Sequence, residues 1–497
     1  MELIKFRRQY LITSKEVAEL DGWQKETLNG MNVYAEQSLQ MHKRNIEDRE
    51  FLLLGYWINP HSPEKDNSDI MEDMVVECDT FESVLHFLYP LSGRFALFCK
   101  FGDKAYGVSD AGGFRPIFYN YDNDSINITS NIFLLRFVTD LKEKSEKYLF
   151  EHSNYYKLQP TYDWCPGYTF YEDVVGVPAN HYINISDRAI MRFYPYNKKK
   201  NVSGIGIEQN LKNINLLIGN SIRSLASRVQ LSFSLTAGYD SRLLLSTIKD
   251  ISNQMYFWIS YNSKKERDYF LPAQILQDVG LNRNPIKNKK RVSKSFRDFY
   301  IGNTPMAHPI WQKYYGSMVG YYPDNYTVIR GSTAAVFKNS YYGSDPHPEK
   351  ITTDFFRNHE HMLYLKEDLP DLNNCFKNYL EEVQEACNKY DYKTLDFWEW
   401  EYDGGGQWQA QSQLESDFLH DVFVPLSNRE IIDLFLQLPD EYRDPKEMKA
   451  YKEIIKIGWP ELLNYPFNPL SKYSKFELKM QYYKEAAKFK LRKMFGK

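Results

Sequence analysis

Cysteine is scarce and unpatterned: Cys78, Cys99, Cys165, Cys375 and Cys387 are the only five in 497 residues. An odd number with no paired spacing argues against a disulfide framework or a structural zinc site, and it fits a reducing compartment. Also missing is any apolar run long enough to cross a bilayer, or to form the core of a signal peptide in the opening MELIKFRRQYLITSKEV. A soluble, cytoplasmic protein with no transmembrane segment is therefore expected. Neither sign of charge is in excess. Lys plus Arg number 62 against 65 Asp plus Glu, a formal net charge of -3, which argues against a general nucleic-acid binder and for small-molecule or protein partners. Internal repeats and low-complexity tracts are absent as well.

What is present is core-forming material, with 43% hydrophobic residues, among them 39 Tyr and 31 Phe. A chain of this length exceeds one typical core, so two or three domains are expected. Up to about residue 195 the pattern is of short β-like runs, FLLLGYWI, RFALFCKF, KAYGVSD, PIFYNYD and HYINISD, which read as a mostly antiparallel sheet domain. Asn197 to Gly206 is polar and aperiodic, and marks a linker. Beyond it helices near 207–227, 240–250 and 266–279 alternate with strands near 229–235, 255–260 and 326–330, the pattern of a parallel sheet with helices on its faces. The remainder reads as mainly helical. The division expected is thus residues 1–195 and 205–497.

The most informative stretch is Leu231 to Leu245, LSFSLTAGYDSRLLL. Leu231, Phe233 and Leu235 alternate as in a strand, Thr236 to Ser241 form a polar turn with Gly238, and an apolar helical face begins at Leu243. Free backbone N–H groups and the helix dipole would face whatever lies over such a turn. Thr236 and Ser241 are hydroxyl donors for phosphate oxygens, and Asp240 is a hard oxygen ligand suited to magnesium. An ordinary loop with Asp240 or Ser241 as N-cap is the alternative reading.

LTAGYDS resembles the LSGGxDS loop of the ATP pyrophosphatase enzymes, and its surroundings resemble the asparagine synthetase branch. The resemblance implies that Leu235, Thr236, Gly238, Asp240 and Ser241 hold the pyrophosphate of ATP, with Asp240 on Mg2+. YFWISYNSKKERDYFLPAQILQDVG resembles the family's second strand and helix, placing Asp268 at the nucleotide, and Pro425 and Pro439 match a later segment. MKAYKEIIK resembles its lysine-bearing helix, so that Lys452, or failing that Lys449, would neutralise charge developing on the phosphates. GRFALFCKFGDKAYGVSDAGGFRPIFYNYD resembles a class II glutamine amidotransferase domain, with a Gly-Arg-Phe turn and a run of Asp110, Gly113, Arg115, Pro116, Ile117, Phe118 and Tyr119. The fold implied is two-domain, α/β and α+β: an Ntn-hydrolase-like antiparallel domain, then an adenine nucleotide α-hydrolase-like parallel sheet with a helical carboxy-terminal part.

Three departures qualify the implied chemistry. The chain begins Met1-Glu2-Leu3 rather than with a nucleophilic cysteine, and Cys78, Cys99 and Cys165 have no free α-amine, so loss of glutamine hydrolysis is expected, as in the β-lactam synthetase relatives. Where the family carries Asp-Glu after a glycine-rich turn, this chain reads Ile329, Arg330, Gly331, Ser332, Thr333, Ala334, Ala335, Val336. Asp240 alone, with phosphate oxygens and waters, would then hold Mg2+, and Arg330 would supply positive charge. Thr236 and Ala237 stand for Ser and Gly, and Ala237 would be strained at a positive φ.

The activity expected is an ATP-dependent, AMP-forming amide ligase or amidotransferase of asparagine synthetase type, an asparagine synthase-like carbon–nitrogen ligase. It would activate a small carboxylate as an acyl-adenylate and take its amine from elsewhere. A catalytically degenerate nucleotide-binding or scaffold protein is the alternative. The TAGYDSR loop, Trp408 to Ala410 and Pro466 to Pro469 resemble proteins of bacterial cell-surface polysaccharide loci. The aromatic segment Phe397 to Trp408 reads as core or as cleft lining. The tail from Ser471, with nine Lys or Arg against Glu477 and Glu485, reads as a solvated helix or one lying on an anionic surface. A homo-oligomer is compatible with all of this.

Overall fold

Period-two alternation in FLLLGYWI and RFALFCKF puts apolar side chains on both faces of two long strands, which demands a cover on each side. The computed structural model, which describes residues 3–122, 125–153, 156–157, 165–339, 351–357, 368–403 and 407–469, supplies both covers. These strands, β5 (Arg49–Ile58) and β6 (Ser92–Phe101), pair antiparallel along their whole length. Their sheet also holds β4 (Met41–Ile46), β7 (Lys104–Ser109), β11 (His181–Asn184) and β12 (Ala189–Arg192), in the order β12-β11-β7-β6-β5-β4. A second antiparallel sheet, β10-β8-β9-β1-β3-β2, uses β1 (Tyr10–Thr13), β2 (Gln24–Leu28), β3 (Met31–Ala35), β8 (Phe118–Asp122), β9 (Ser125–Thr129) and β10 (Val174–Gly176).

Leu52, Leu54 and Phe98 point between the sheets to meet Tyr10, Ile12, Val33 and Ile128. Their neighbours Leu53, Trp57 and Leu97 point outward, under helices α1 (Asn67–Glu77) and α2 (Phe81–Phe87). Neither helix was anticipated from the strand-like runs, yet each begins at a capping box, Asp66 with Asp69 and Thr80 with Ser83, a signal the sequence carries. Gly93, Arg94 and Phe95 lie within β6 rather than in the turn expected of them. Gly93 (φ 135°) lies opposite Trp57 and Gly55 (φ 113°) opposite Phe95, each so close to the partner strand that a Cβ would stand 2.3 Å from Tyr56 O and 2.1 Å from Arg94 O, respectively. Only glycine fits there. Helix α3 (Ser145–His152) follows.

From α4 (Ile205–Ala226) the period becomes helical: Leu211, Ile214, Ile218, Ile222 and Leu225 recur every three or four residues and are buried. Five parallel strands follow, in the order β15-β14-β13-β16-β17: β13 (Gln230–Ser234), β14 (Tyr256–Tyr261), β15 (Asn284–Lys287), β16 (Tyr326–Ile329) and β17 (Asp421–Phe423). Between them run α5 (Tyr239–Ser246), α6 (Arg267–Asp278), α7 (Lys294–Asn303) and α8 (Pro309–Met318), and then α9 (Pro370–Tyr390) and α10 (Gln407–Ser416). Two helices close the described chain, α11 (Arg429–Leu436) and α12 (Lys449–Gly458). The architecture is the one expected, with antiparallel sheets first and a parallel sheet with a helical part after. Because β14 and β15 lie on one side of β13 and β16 and β17 on the other, the winding reverses between β13 and β16. Ligands of open α/β sheets bind at such a reversal, beyond the carboxyl ends of the strands. Among the described residues no helix is long and apolar enough to cross a membrane.

A buried ionic cluster ties the antiparallel half to the parallel one. Arg94 donates to Asp417 Oδ1 and Oδ2 at 2.5 and 2.9 Å and to Asp421 Oδ1 at 2.8 Å. Arg8 Nη1 donates to the Asp417 carbonyl at 2.5 Å, and Gln9 Nε2 to its carboxylate at 2.8 Å. Asp110, first of the amidotransferase-like run, accepts from the backbone N–H groups of Phe95, Gly112, Phe114 and Arg115 and so fixes Arg115 beside the cluster. Burial pushes the Asp421 pKa up, but Arg94, Arg115 and Arg8 outweigh it and hold it below the usual carboxylate value. In the unfolded chain the same group titrates near 3.9, so below that pH the unfolded state binds the extra proton first. Stability from Asp421 is full above about pH 4 and is lost as pH falls toward the depressed folded value. Thermal melts between pH 3 and 6 are expected to show this acid slope, and Asp421→Asn to flatten it.

Candidate functional site

The junction singled out in the sequence is where the chain reverses its winding. β13 ends at Ser234, buried Leu235 seats the turn, and α5 starts after Gly238. The turn is held from within. Ser241 Oγ accepts from Thr236 N at 3.1 Å and lies 3.0 Å from Thr236 Oγ1, which accepts from Gly238 N at 3.3 Å. Asp268, in the first turn of α6, accepts the Ala237 N–H at 3.0 Å, so its carboxylate supports the loop backbone. Ala237 stays out of the left-handed region, and alanine costs nothing there.

Over the turn lies a cavity of about 510 Å³. Thr236, Asp240 and Ser241 line its loop side, Arg330, Gly331 and Ser332 the loop after β16, and Trp258, Trp311 and Tyr314 an aromatic wall. That volume suits a drug-sized or nucleotide-sized ligand. Of the sequence-predicted residues, Thr236, Asp240 and Ser241 come together here, while Leu235, Gly238 and Asp268 build the loop beneath. Lys452 and Lys449 do not line the cavity; Lys449 pairs with Glu441 at 3.5 Å and lies over the Tyr442 ring. Tyr451 of α12 does not line it either, but is buried beside Asp240, and its OH donates to the Ala334 carbonyl at 2.8 Å.

Sequence reasoning missed two cations. Lys338 Nζ donates to Asp240 Oδ1 at 2.7 Å and sits 5.3 Å from the Tyr451 ring centroid. Arg242, one residue beyond the LTAGYDS motif, is fully buried and donates to the carbonyls of Ala237 (2.8 Å), Tyr465 (2.9 Å) and Pro466 (2.5 Å). Phe467 lies under its guanidinium at 3.9 Å and stacks on Tyr239 at 3.8 Å, and Asn468 N donates back to the Ala237 carbonyl at 3.0 Å. The Pro466 to Pro469 run is thus a strap across the outside of the turn. Burial, partly offset by Tyr239, lowers the Arg242 pKa to about 10.

Phe397, Trp398, Trp400 and Tyr402 are buried core residues. Trp408 instead packs edge-on against Trp311 of the cavity wall, with ring centroids 5.2 Å apart. The Cys99 thiol is fully buried and its pKa raised well above the usual value, and burial raises that of Cys78 to about 11, so neither is poised as a nucleophile. The basic tail from Ser471 lies outside the described residues.

The donor set fits a magnesium ion poorly. Among the described residues Asp240 is the only carboxylate lining the cavity, and its Oδ1 already accepts from an ammonium group. Gly331 to Val336 add no acidic side chain, and among the described residues no group of three or more His, Cys, Asp or Glu is placed to hold a metal.

The fold and cavity define an α/β protein with a candidate ligand site at its winding reversal. The sequence matches no protein-family model and no curated protein. Two solved structures similar to the chain are the glutamine phosphoribosylpyrophosphate amidotransferase from B. subtilis complexed with ADP and GMP, and an allosteric regulatory enzyme of purine biosynthesis. The first covers 67% of this chain and 71% of its own at 9% identity and TM-score 0.24. The second covers 61% and 74% at 11% identity and TM-score 0.26. Likeness of that extent bears on neither substrate nor activity.

Proposed function

We propose that the chain binds ATP through the Thr236–Ser241 turn and acts as an AMP-forming carbon–nitrogen ligase of asparagine synthetase type, without glutamine hydrolysis of its own. The observation that carries this reading is the cavity that joins the turn, the start of α5 and the loop after β16 at the winding reversal. The first-turn N–H groups of α5 have no intrahelical acceptor, and together with the Thr236 and Ser241 hydroxyls they suit an oligophosphate. Trp258, Trp311 and Tyr314 offer a base or other planar group an aromatic wall. A small carboxylate and an external amine complete the proposed reaction.

A second reading, a degenerate nucleotide-binding protein serving bacterial cell-surface polysaccharide synthesis, draws on Ala334, Ala335 and Val336 and on the Lys338 to Asp240 pair. Calorimetric ATP titration and ATP–pyrophosphate exchange across a panel of carboxylic acids separate the two. Binding with acid-dependent exchange is expected for the ligase, binding without exchange for the second reading, and no binding at millimolar ATP removes both. Thr236→Val, which deletes one hydroxyl donor to a charged ligand, is expected to weaken ATP binding about ten- to a hundred-fold, since such a bond contributes about 1.5–3 kcal/mol.

A further inference from the structure

A charged ligand over the turn needs countercharge, and the residues that would bring it as a divalent ion are missing. A magnesium ion keeps near-octahedral oxygen coordination and draws on one or two carboxylates besides phosphates and waters. Here Asp240, the single cavity carboxylate among the described residues, has an ammonium group 2.7 Å from Oδ1. A dication on that carboxylate would have to displace Lys338 or lie against its charge, and at such distances like charges repel strongly.

Lys338 does not itself line the cavity but reaches it through the Asp240 carboxylate; a second cation stands in the lining. Arg330 lines the cavity from the end of β16, and among the described residues its side-chain hydrogen-bond partners are neutral: Ser412 Oγ at 3.3 Å, Tyr315 OH at 3.5 Å and His420 Nε2 at 3.2 Å. His420 is fully buried and its pKa is driven well below the imidazole value, first by burial and then by Arg330, so it meets the guanidinium uncharged. Among the described residues no carboxylate lies within ion-pair distance of Arg330. A largely buried guanidinium left this way is costly unless an anion comes to it. Asp240 lines the cavity from the turn after β13 and Arg330 from the loop after β16, and Lys338, further along that second loop, adds its positive charge directly behind the Asp240 carboxylate.

We infer that Lys338 and Arg330 stand in for the divalent cation, so that the site takes the phosphate groups of its nucleotide without metal. The inference rests on the nucleotide reading above and deepens it. Lysine acts as a point charge toward phosphate and arginine as a bidentate fork, and Asp240 then serves to hold Lys338 over the turn.

The test titrates the full chain with inorganic pyrophosphate and with ATP, each in EDTA and in millimolar Mg2+. Affinity within about three-fold between the two conditions is expected. Lys338→Met is expected to weaken pyrophosphate binding at least ten-fold in EDTA, with Lys338→Arg retaining most of it. Arg330→Met is expected to act likewise, and because Arg330 is largely buried its melting curve is read alongside. Should it fail to fold, the wild-type comparison and the Lys338 pair still decide. Binding that tightens ten-fold or more on adding Mg2+, or a Lys338→Met protein that binds like the wild type, overturns this inference and leaves the nucleotide reading standing. Absence of binding for both probes in both conditions overturns the two together.

Discussion

Arg94→Ala is expected to cost about 3–5 kcal/mol, read as a lower urea midpoint. The size follows from what the substitution leaves behind. Arg94 and Asp417 are each about 1% exposed, and the guanidinium bridges Asp417 and Asp421. Burial works against its charge, yet the two aspartates outweigh that and hold its pKa above the ordinary value. Without it two carboxylates from the far half of the chain face each other in a water-poor junction beside Arg115, whose geometry toward them is long, at 3.6 and 3.8 Å. Replacing Arg94 and Asp417 together by Met and Leu is expected to cost less than Arg94→Ala alone, because an uncompensated buried charge is dearer than an apolar pair of similar volume. A double variant as unstable as the single one would show the arginine to matter through packing instead of charge.

The second large effect is expected at Arg242. Its three bonds to carbonyl oxygens are charge-assisted, among the described residues no carboxylate pairs with it, and the strap is otherwise held to the turn by the stacked Phe467 and the Asn468 N–H on the Ala237 carbonyl. Arg242→Ala is expected to lose about 2–4 kcal/mol, in line with a few such bonds to a charged group. The loss should be local: faster amide hydrogen exchange at 236–241 and 465–468 with the antiparallel sheets unchanged. Arg242→Lys is not expected to rescue it, because one ammonium cannot reach three carbonyls arranged around a planar fork. Unchanged exchange at the turn would show that Ser241, Thr236 and Asp268 suffice to hold it.

The turn was legible in the sequence because all its parts are contiguous. Alternation ending at Leu235, a glycine and a helical face occupy fifteen consecutive residues, and the structure places them as strand, turn and helix. The long strands β5 and β6 were legible for the same reason. What could not be read was assembled from a distance. Lys338 meets Asp240 across 98 residues and Arg242 meets Pro466 across 224, and nothing local distinguishes either from a solvated cation. β15 and β17, of four and three residues, are too short to show a period. β17 was hidden after a run read as helix, though it is the edge strand that carries Asp421. Lys452 was drawn from resemblance, and it is Tyr451 of that helix that is buried beside Asp240.

The ionic cluster also has a history in time. Arg94 finds its acceptor 323 residues later, and at about 5–20 residues per second a ribosome needs on the order of half a minute to make that stretch. Through that interval the antiparallel sheets can pair and cover their own faces, but Arg8, Arg94 and Arg115 remain without the acids that complete them. The last strand to join the parallel sheet is thus also the latch of the first half. Release of a nascent chain ending before Asp417 would leave that half open at its junction, a state inviting chaperones and proteases, whereas chains carried past Asp421 close both halves in one event.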